Sequence, residues 1–484
     1  MSNQSIQADL AITNARLIDG SGAPARRGGI AIRDERIVAL GDLRNVEAGT
    51  EIDAVGKAVS PGFIDVHTHD DRALLADPEM TCKVSQGVTT VVAGNCGVSL
   101  APLTISKRPP PPLDLVSESA QGFFGTMREY FAALDDAPAA VNAVAQVGHS
   151  SLRAGVMDSL DRPADAGEIK QMRALLEEGL EAGAIGMSTG LFYAPAKAAP
   201  TEEVIELAKA LAGFGAVHTT HMRDESALVQ QSLEETFRIG REAGVPVVIS
   251  HHKCAGKHNH GRSVETLALI DRARKVQELS LDAYPYVAGS TTLANDLLHE
   301  SSKVVVSWSE PHPEASGRDL AELAAEWGVD QSEAVQRLLP AGGIFFMMDE
   351  ADVRRILAYP GTMIGSDGLP HDVHPHPRLW GTFPRVLGHY ARDEKLFSLE
   401  EAVHKMTALS AERFGLANRG HLAVGAYADL VLFDPDSVAD RATFDAPKMP
   451  AAGIEQVWVN GVSVWKDGRH SGARPGRALR RGTE

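Results

Sequence analysis

Apolar and polar residues follow two different rhythms along this chain, and the change between them divides it. From about Ala8 to Ser60 the apolar runs are short and rich in β-branched residues, as in LAITNARLIDG, GGIAIRDERIVALG and EIDAVGKAVS, each bounded by Gly, Asp or Asn. That is the pattern of strands joined by tight turns. The same character returns near the C-terminus in YADLVLFDP and EQVWVNGVSVWKDG, where Asn460-Gly461 is a hairpin signal. Two β-rich ends around a middle of another rhythm predict a small β-sandwich or barrel domain assembled from residues 1–60 and 415–484.

The middle, residues 61–414, reads strand, helix, strand, helix. Eight apolar runs qualify as strands: SPGFIDVHTH, GVTTVVAGNCG, VNAVAQVGHSS, AGAIGMSTGL, FGAVHTTHMR, GVPVVISHH, LSLDAYPY and GTMIGSDG. Most are separated by stretches such as GEIKQMRALLEEGLEAG and TEEVIELAKALAGFG, whose apolar residues fall three and four apart as in amphipathic helices. Eight such units predict an α/β fold, a (β/α)8 TIM-type barrel with its site at the C-terminal ends of the strands. The gap between the seventh and eighth strands is too long for one helix. Residues 287–343 therefore read as an insertion, placed to act as a lid or specificity loop.

Composition changes this picture little. A length of 484 residues calls for more than one domain, and 44% hydrophobic with 23% charged residues is ordinary for a globular chain. A net charge of −17 argues against nucleic acid or an anionic membrane as partner. The N-terminus MSNQSIQADL lacks a basic and an apolar region, so no signal peptide is expected. No run approaches the roughly 18 apolar residues of a membrane span. Cys82, Cys96 and Cys254 are too few for a disulfide framework, which favours a reduced, cytoplasmic setting.

The candidate chemistry stands at the strand ends. The first strand ends in His67 and His69, a His-x-His pair whose spacing puts both imidazoles on one face of a strand. The second ends in Cys96, the fifth carries His218 and His221, the sixth ends in His251 and His252, and the eighth in Asp367. Thiolate and imidazole are zinc ligands, and a carboxylate adds a further ligand or an acid/base. His218 and His221, three apart, do not share a face, and the exit position favours His221. His251 and His252 are adjacent, and parity does not choose between them. Cys82 and Cys254 lie away from the strand ends. His258, His260, His371, His374 and His376 fall in loops and read as solvated or as support for other residues.

The pattern resembles the amidohydrolase superfamily, metal-dependent hydrolases on a (β/α)8 barrel, through PGFIDVHTH and the closing AYADLVLFDP and VWVNGVSVWKDG. More closely, nearly the whole chain is similar to the N-acyl-D-amino-acid deacylases, through GNCG at Cys96, THMRDE at His221, SHHK at His251 and GSDGLPHDVHPHPRLWGTFPRVLG at Asp367 and Arg378. The resemblance implies a tightly held Zn2+ on Cys96, His221 and His251, so His251 rather than His252. It implies a second, weaker metal position at His67 and His69, with Cys96 between the two. It also implies that Arg378, with Tyr284 and Ser290, holds a substrate carboxylate. The fourth strand lacks the terminal Lys that many cyclic-amide hydrolases carboxylate to bridge two metals.

Amide hydrolysis needs a base for the attacking water and an acid for the leaving amine, and Asp367 is the strand-end carboxylate able to serve as both. Tyr193, just past the fourth strand, is a candidate donor to the developing oxyanion. The expected substrate is an N-acyl-D-amino acid with a neutral, mainly hydrophobic side chain. Leu293, Leu297 and Leu298 are apolar, and no Lys or Arg occurs between Tyr284 and Glu300. Its D configuration rests on the resemblance alone. A monomer is favoured. The alternatives are a cyclic-amide hydrolase, a deaminase, whose proton shuttle is normally the Glu of a His-x-x-Glu arrangement where this chain has only His221-x-x-x-Glu225, or a non-catalytic metal-binding protein.

Overall fold

A computed structural model describes residues 5–117 and 119–482. All eight runs form strands: β1 (Phe63–Asp65), β2 (Val88–Ala93), β3 (Asn142–Ala145, continued by Val147–Gly148), β4 (Gly186–Gly190), β5 (Val217–His221), β6 (Val247–Ile249), β7 (Leu279–Ala283) and β8 (Thr362–Ile364). Parallel ladders join β1 to β3 and β3 to β8 in chain order. A single parallel bridge from Thr68 to Gly368 closes β8 on β1. The result is a (β/α)8 barrel.

Its interior shows why the strands read as they do. Ile64, Val92, Val144, Val217, Val248 and Met363, one from each of six strands, pack with Ile185, just before β4, as a buried layer, and Phe414 joins them. Residues two apart on a strand face the same way. Val217 therefore shares its inward face with Thr219 and His221, so the apolar layer and the site are two storeys of one column.

The helices carry their own signals. Ala166–Ala182 starts at a capping box, in which the Asp165 side chain accepts from the backbone N–H groups of Gly167 and Glu168, and ends on left-handed Gly183.

Both ends of the chain build one nine-stranded sheet. Ile6–Leu17 is flanked by Arg26–Arg33 and Ala58–Pro61, and Ala58–Pro61 pairs antiparallel with Leu430–Phe433. Leu430–Phe433 leads on to Ile454–Val459 and Val462–Lys466. The last two strands turn at Asn460-Gly461, where both φ angles are positive, at 48° and 79°. Ile12, Ile30, Ile32, Val59, Leu430 and Trp458 form part of this sheet's own core.

Between β7 and β8 the chain makes a three-stranded antiparallel sheet of Ala288–Thr292, Lys303–Ser309 and Ala341–Phe346, with helices Leu320–Trp327 and Gln331–Leu338. Its last strand runs to Phe346, three residues past the expected end at Gly343. No helix among the described residues is long and apolar enough to cross a membrane.

Candidate metal centre

Five of the eight strands deliver a potential ligand to one point. His67, His69, Cys96 and Asp367 form one group and Cys96, His221 and His251 another, with the ligand atoms of each within 4.8 Å of one another. Cys96 belongs to both. Its Sγ is 3.2 Å from His67 Nε2 and 3.4 Å from His251 Nε2. Asp367 Oδ1 lies 3.2 Å from His69 Nε2 and 3.5 Å from His67 Nε2. All six side chains are buried.

The backbone is bent to achieve this. Cys96, His251 and Asp367 have φ of 54°, 34° and 51°, a left-handed conformation that costs a side-chain-bearing residue of order 1–3 kcal/mol. Each turn comes just after its strand has ended and swings the side chain inward. At His251 the turn also decides between neighbours. Strict alternation from inward-facing Val248 would select His252, yet His252 Nε2 instead meets Thr266 Oγ1 at 2.9 Å, away from the site. His218 stays inside the barrel, 3.0 Å from Thr189 Oγ1.

Charge suits ligation. Burial pushes the Cys96 thiol up, but the neighbouring imidazoles of His67 and His251 outweigh it and hold the thiol well below its ordinary range. The thiolate is the form that binds metal. Cys82 and Cys254 lack such neighbours, and burial pushes both up to about 12. Burial also raises Asp367, and the Arg378 guanidinium and His67 overcome it, holding the carboxyl well below the usual carboxylate range. A borderline-soft thiolate shared between two sets of imidazoles, with a carboxylate on one side, fits a zinc pair.

Two supporting residues, Asp282 and Lys253, carry no signal in the linear pattern of strand ends, and Glu225 has a role there that the pattern does not announce. Asp282, on β7, accepts the His251 backbone N–H at 2.8 Å and lies 3.3 Å from His67 Nδ1. Glu225 Oε1 lies 3.0 Å from His251 Nδ1, and Glu225 is tied to Lys253 Nζ at 2.7 Å. Carboxylates in these positions fix the tautomer and orientation of ligating histidines. The available signal was an acidic residue in an apolar strand, LSLDAY, and the charges of THMRDE and SHHK.

Over the metal centre lies a cavity of about 530 Å³. Tyr193, Tyr284, Ser290 and Arg378 all line it. Tyr193 precedes the short helix Ala194–Lys197; its ring sits 4.8 Å from that of His221, and its Oη is 3.1 Å from Thr291 Oγ1. Arg378, fully buried, opens the helix Arg378–Arg385. Its Nη1 lies 2.8 Å from Asp367 Oδ2, its Nη2 donates to the Ser290 carbonyl at 3.0 Å, and its plane lies 4.6 Å from the Tyr284 ring centre. The Ser290 hydroxyl donates to the Gly343 carbonyl.

Of the three leucines expected in the side-chain pocket, Leu297 lines the cavity, beside Phe192 and Met347. Leu293 is buried in the core instead. Cations do reach the cavity from outside the insertion, as Lys197, Arg223 and Lys253, but Glu235 pairs with Arg223 and Glu225 with Lys253. His376, expected in a solvated loop or in support, is buried behind Arg378, accepting its backbone N–H at 2.9 Å.

A sequence model of the Amidohydrolase family matches residues 50–465. The chain belongs to this family. The D-aminoacylase of Alcaligenes xylosoxydans xylosoxydans is 57% identical over 473 residues, 98% of each chain. The N-acyl-D-aspartate deacylase of the same organism is 54% identical over 475 residues, 98% of this chain and 95% of its own. The crystal structure of N-acyl-D-glutamate deacylase from Bordetella bronchiseptica, complexed with zinc and a phosphonate mimic of the tetrahedral intermediate, matches with a TM-score of 0.95 at 48% identity. That match covers 98% of this chain and 100% of the other. As an amidohydrolase the chain has one physical peculiarity. β4 ends at Gly190, where an added Cβ would come within 2.1 Å of the Cys96 carbonyl oxygen. A bridging lysine cannot stand there, and Cys96 Sγ occupies the position between the two donor groups.

Proposed function

We propose that this protein hydrolyses the amide bond of N-acyl-D-amino acids, releasing a carboxylate and a free D-amino acid. The observation that carries this reading is the shared Cys96 thiolate with Asp367 beside it and Arg378 bound to the far oxygen of Asp367. That arrangement supports a reading in which a base adjoins the metal ligands on one side and a carboxylate receptor on the other. The whole-chain similarity to a D-aminoacylase and an N-acyl-D-aspartate deacylase supports the same substrate class.

Cys96, His221 and His251 would hold the tighter zinc, and His67 and His69 a second, weaker position. Bound there, zinc supplies Lewis-acid polarisation of the amide carbonyl and an acidified water. Asp367, anionic, takes the proton of the attacking water and returns it to the leaving nitrogen. Tyr193, whose ring stands beside that of His221, donates its hydroxyl hydrogen to the oxygen that gains charge at the carbonyl carbon. Arg378 receives the α-carboxylate, with Tyr284 and Ser290 beside it; its Nε hydrogen has no acceptor among the described residues. Glu225 is engaged by Lys253 and His251 and orients ligands, which disfavours the deaminase alternative that needs it as a shuttle.

For the side chain we favour neutral, mainly hydrophobic residues. Phe192, Leu297 and Met347 offer apolar contact, while Asp296 and Glu300 line the same cavity and oppose an acidic group. We read residues 1–60 with 415–484 as a separate β-domain and the insertion as the lid over the site. We read the protein as a cytoplasmic monomer with reduced cysteines. The deciding assay offers paired N-acetyl-D- and N-acetyl-L-amino acids and follows amine release. Turnover of D-leucine, D-methionine or D-phenylalanine derivatives is expected. Preference for the L series, or for N-acetyl-D-glutamate or N-acetyl-D-aspartate over N-acetyl-D-leucine, defeats the corresponding part of the reading.

A further inference from the structure

Beside the metal centre, outside the cavity lining, lies a group of buried charges that the reaction leaves unused. Lys83 belongs to the one-turn helix Thr81–Val84 and is fully buried. Its Nζ is 2.8 Å from Asp65 Oδ2, 2.9 Å from Ser366 Oγ and 3.1 Å from Asp70 Oδ2. Asp65 ends β1 and Asp70 follows His69, while Ser366 precedes Asp367. One ammonium thus brackets His67, His69 and Asp367. Asp65 adds a second tie, its Oδ1 accepting the Ser366 backbone N–H at 2.7 Å.

The barrel is weakest here. Every other pair of neighbouring strands is joined by a ladder, whereas β8 meets β1 through the single Thr68–Gly368 bridge and the Asp367 N–H bond to the His67 carbonyl at 2.7 Å. Both strands are three residues long, and the groups that must stay 3.2 and 3.5 Å apart lie beyond their ends. Stability alone gives no reason to bury an ammonium with two carboxylates, since well-packed apolar side chains commonly do as well or better. Holding two loosely joined strand ends at a set spacing does give one. Misplacement of reacting groups by about 1 Å can cost roughly 10²-fold in rate.

We propose that Lys83 is a positioning residue, clasping the ends of β1 and β8 through Asp65, Asp70 and Ser366 so that Asp367 stands at its working distance from His67 and His69. The kinetic part rests on the hydrolase reading; the metal-binding part does not.

The test uses the full chain with Lys83→Met and, separately, Ser366→Ala, which removes the hydroxyl that meets Lys83 Nζ and also accepts the Gly368 N–H at 3.3 Å. Circular dichroism sets a temperature at which each is folded, and kcat, KM and zinc binding by equilibrium dialysis are then measured. For Lys83→Met, kcat should fall about 10–100-fold with KM within about twofold, and a second zinc ion should bind about 10–100-fold more weakly while the first is retained. Ser366→Ala should move both in the same direction by less. A folded Lys83→Met protein with kcat and second-ion affinity like the parent overturns the proposal. If that variant does not fold, Ser366→Ala decides, and parent-like values overturn it. Should the parent hydrolyse no N-acyl amino acid, the functional reading fails and dialysis still judges the clasp. A parent lacking both turnover and a second ion overturns it outright.

Discussion

Replacing Cys96 tests the metal centre at the atom its two donor groups share. Cys96→Ala removes the Sγ that lies 3.2 and 3.4 Å from two imidazoles and leaves one donor group with His221 and His251 alone. Catalytic zinc sites keep three protein ligands. Zinc held by four ligands is worth about 10–16 kcal/mol, so one ligand is worth roughly 2.5–4 kcal/mol, or about 10²–10³-fold in affinity. The purified variant should lose zinc on dialysis and lose activity with it. Cys96→Gly separates ligation from strain, because glycine accepts the φ of 54° that costs other residues about 1–3 kcal/mol. It should lose the metal equally while unfolding at a higher temperature than Cys96→Ala. Cys82→Ala and Cys254→Ala, altering thiols outside both groups, should keep full metal. Metal content by plasma emission and kcat on N-acetyl-D-leucine are the measurements. Full zinc in dialysed Cys96→Ala protein refutes the assignment.

Asp367→Asn preserves size and removes the base, so kcat should drop about 10²–10⁴-fold while zinc stays on Cys96, His221 and His251; near-normal turnover would place the base elsewhere. Arg378→Ala removes the buried guanidinium facing the cavity and should raise KM strongly for N-acyl amino acids, with N-acyl amines that lack a carboxylate poor substrates of the parent as well. An unchanged KM would show that the carboxylate binds elsewhere. Away from the site, burial raises Glu203, but hydrogen bonds from His149 and Arg153 prevail and bring its carboxyl down to about 2 from 4.5. A depressed folded-state value stabilises fully above 4.5 and is lost as pH falls from there towards 2. The stability gap between the parent and Glu203→Gln, measured by denaturant unfolding, should therefore be constant at neutral pH and narrow across that window. A gap that widened there would contradict the pairing.

Much of this protein is legible in the order of its residues, because the decisive signals are local. Apolar runs of strand length separated by 3.6-period helices announce eight barrel strands, and the polar residue that ends each run announces the rim. His67, Cys96, His221 and Asp367 are all found this way, since a barrel strand's C-terminal end faces the site whatever the rest of the chain does. The tertiary structure decided what depends on partners distant in sequence or on backbone conformation past a strand end. Alternation from Val248 points to His252, and only the left-handed turn at His251 brings that ring onto Cys96 Sγ. Asp282 reads as an isolated acid, and Glu225 only as an acid at the wrong spacing for a shuttle, until β7 and the β5 exit are set against the histidines they orient. Leu293 looks like a pocket residue in a linear reading and is drawn into the core by the folded insertion. Lys83 shows the difference most clearly. Its charge carries no local signal, because its meaning comes from closing the barrel, where Asp65 and Ser366, 301 residues apart, meet at a single hydrogen bond.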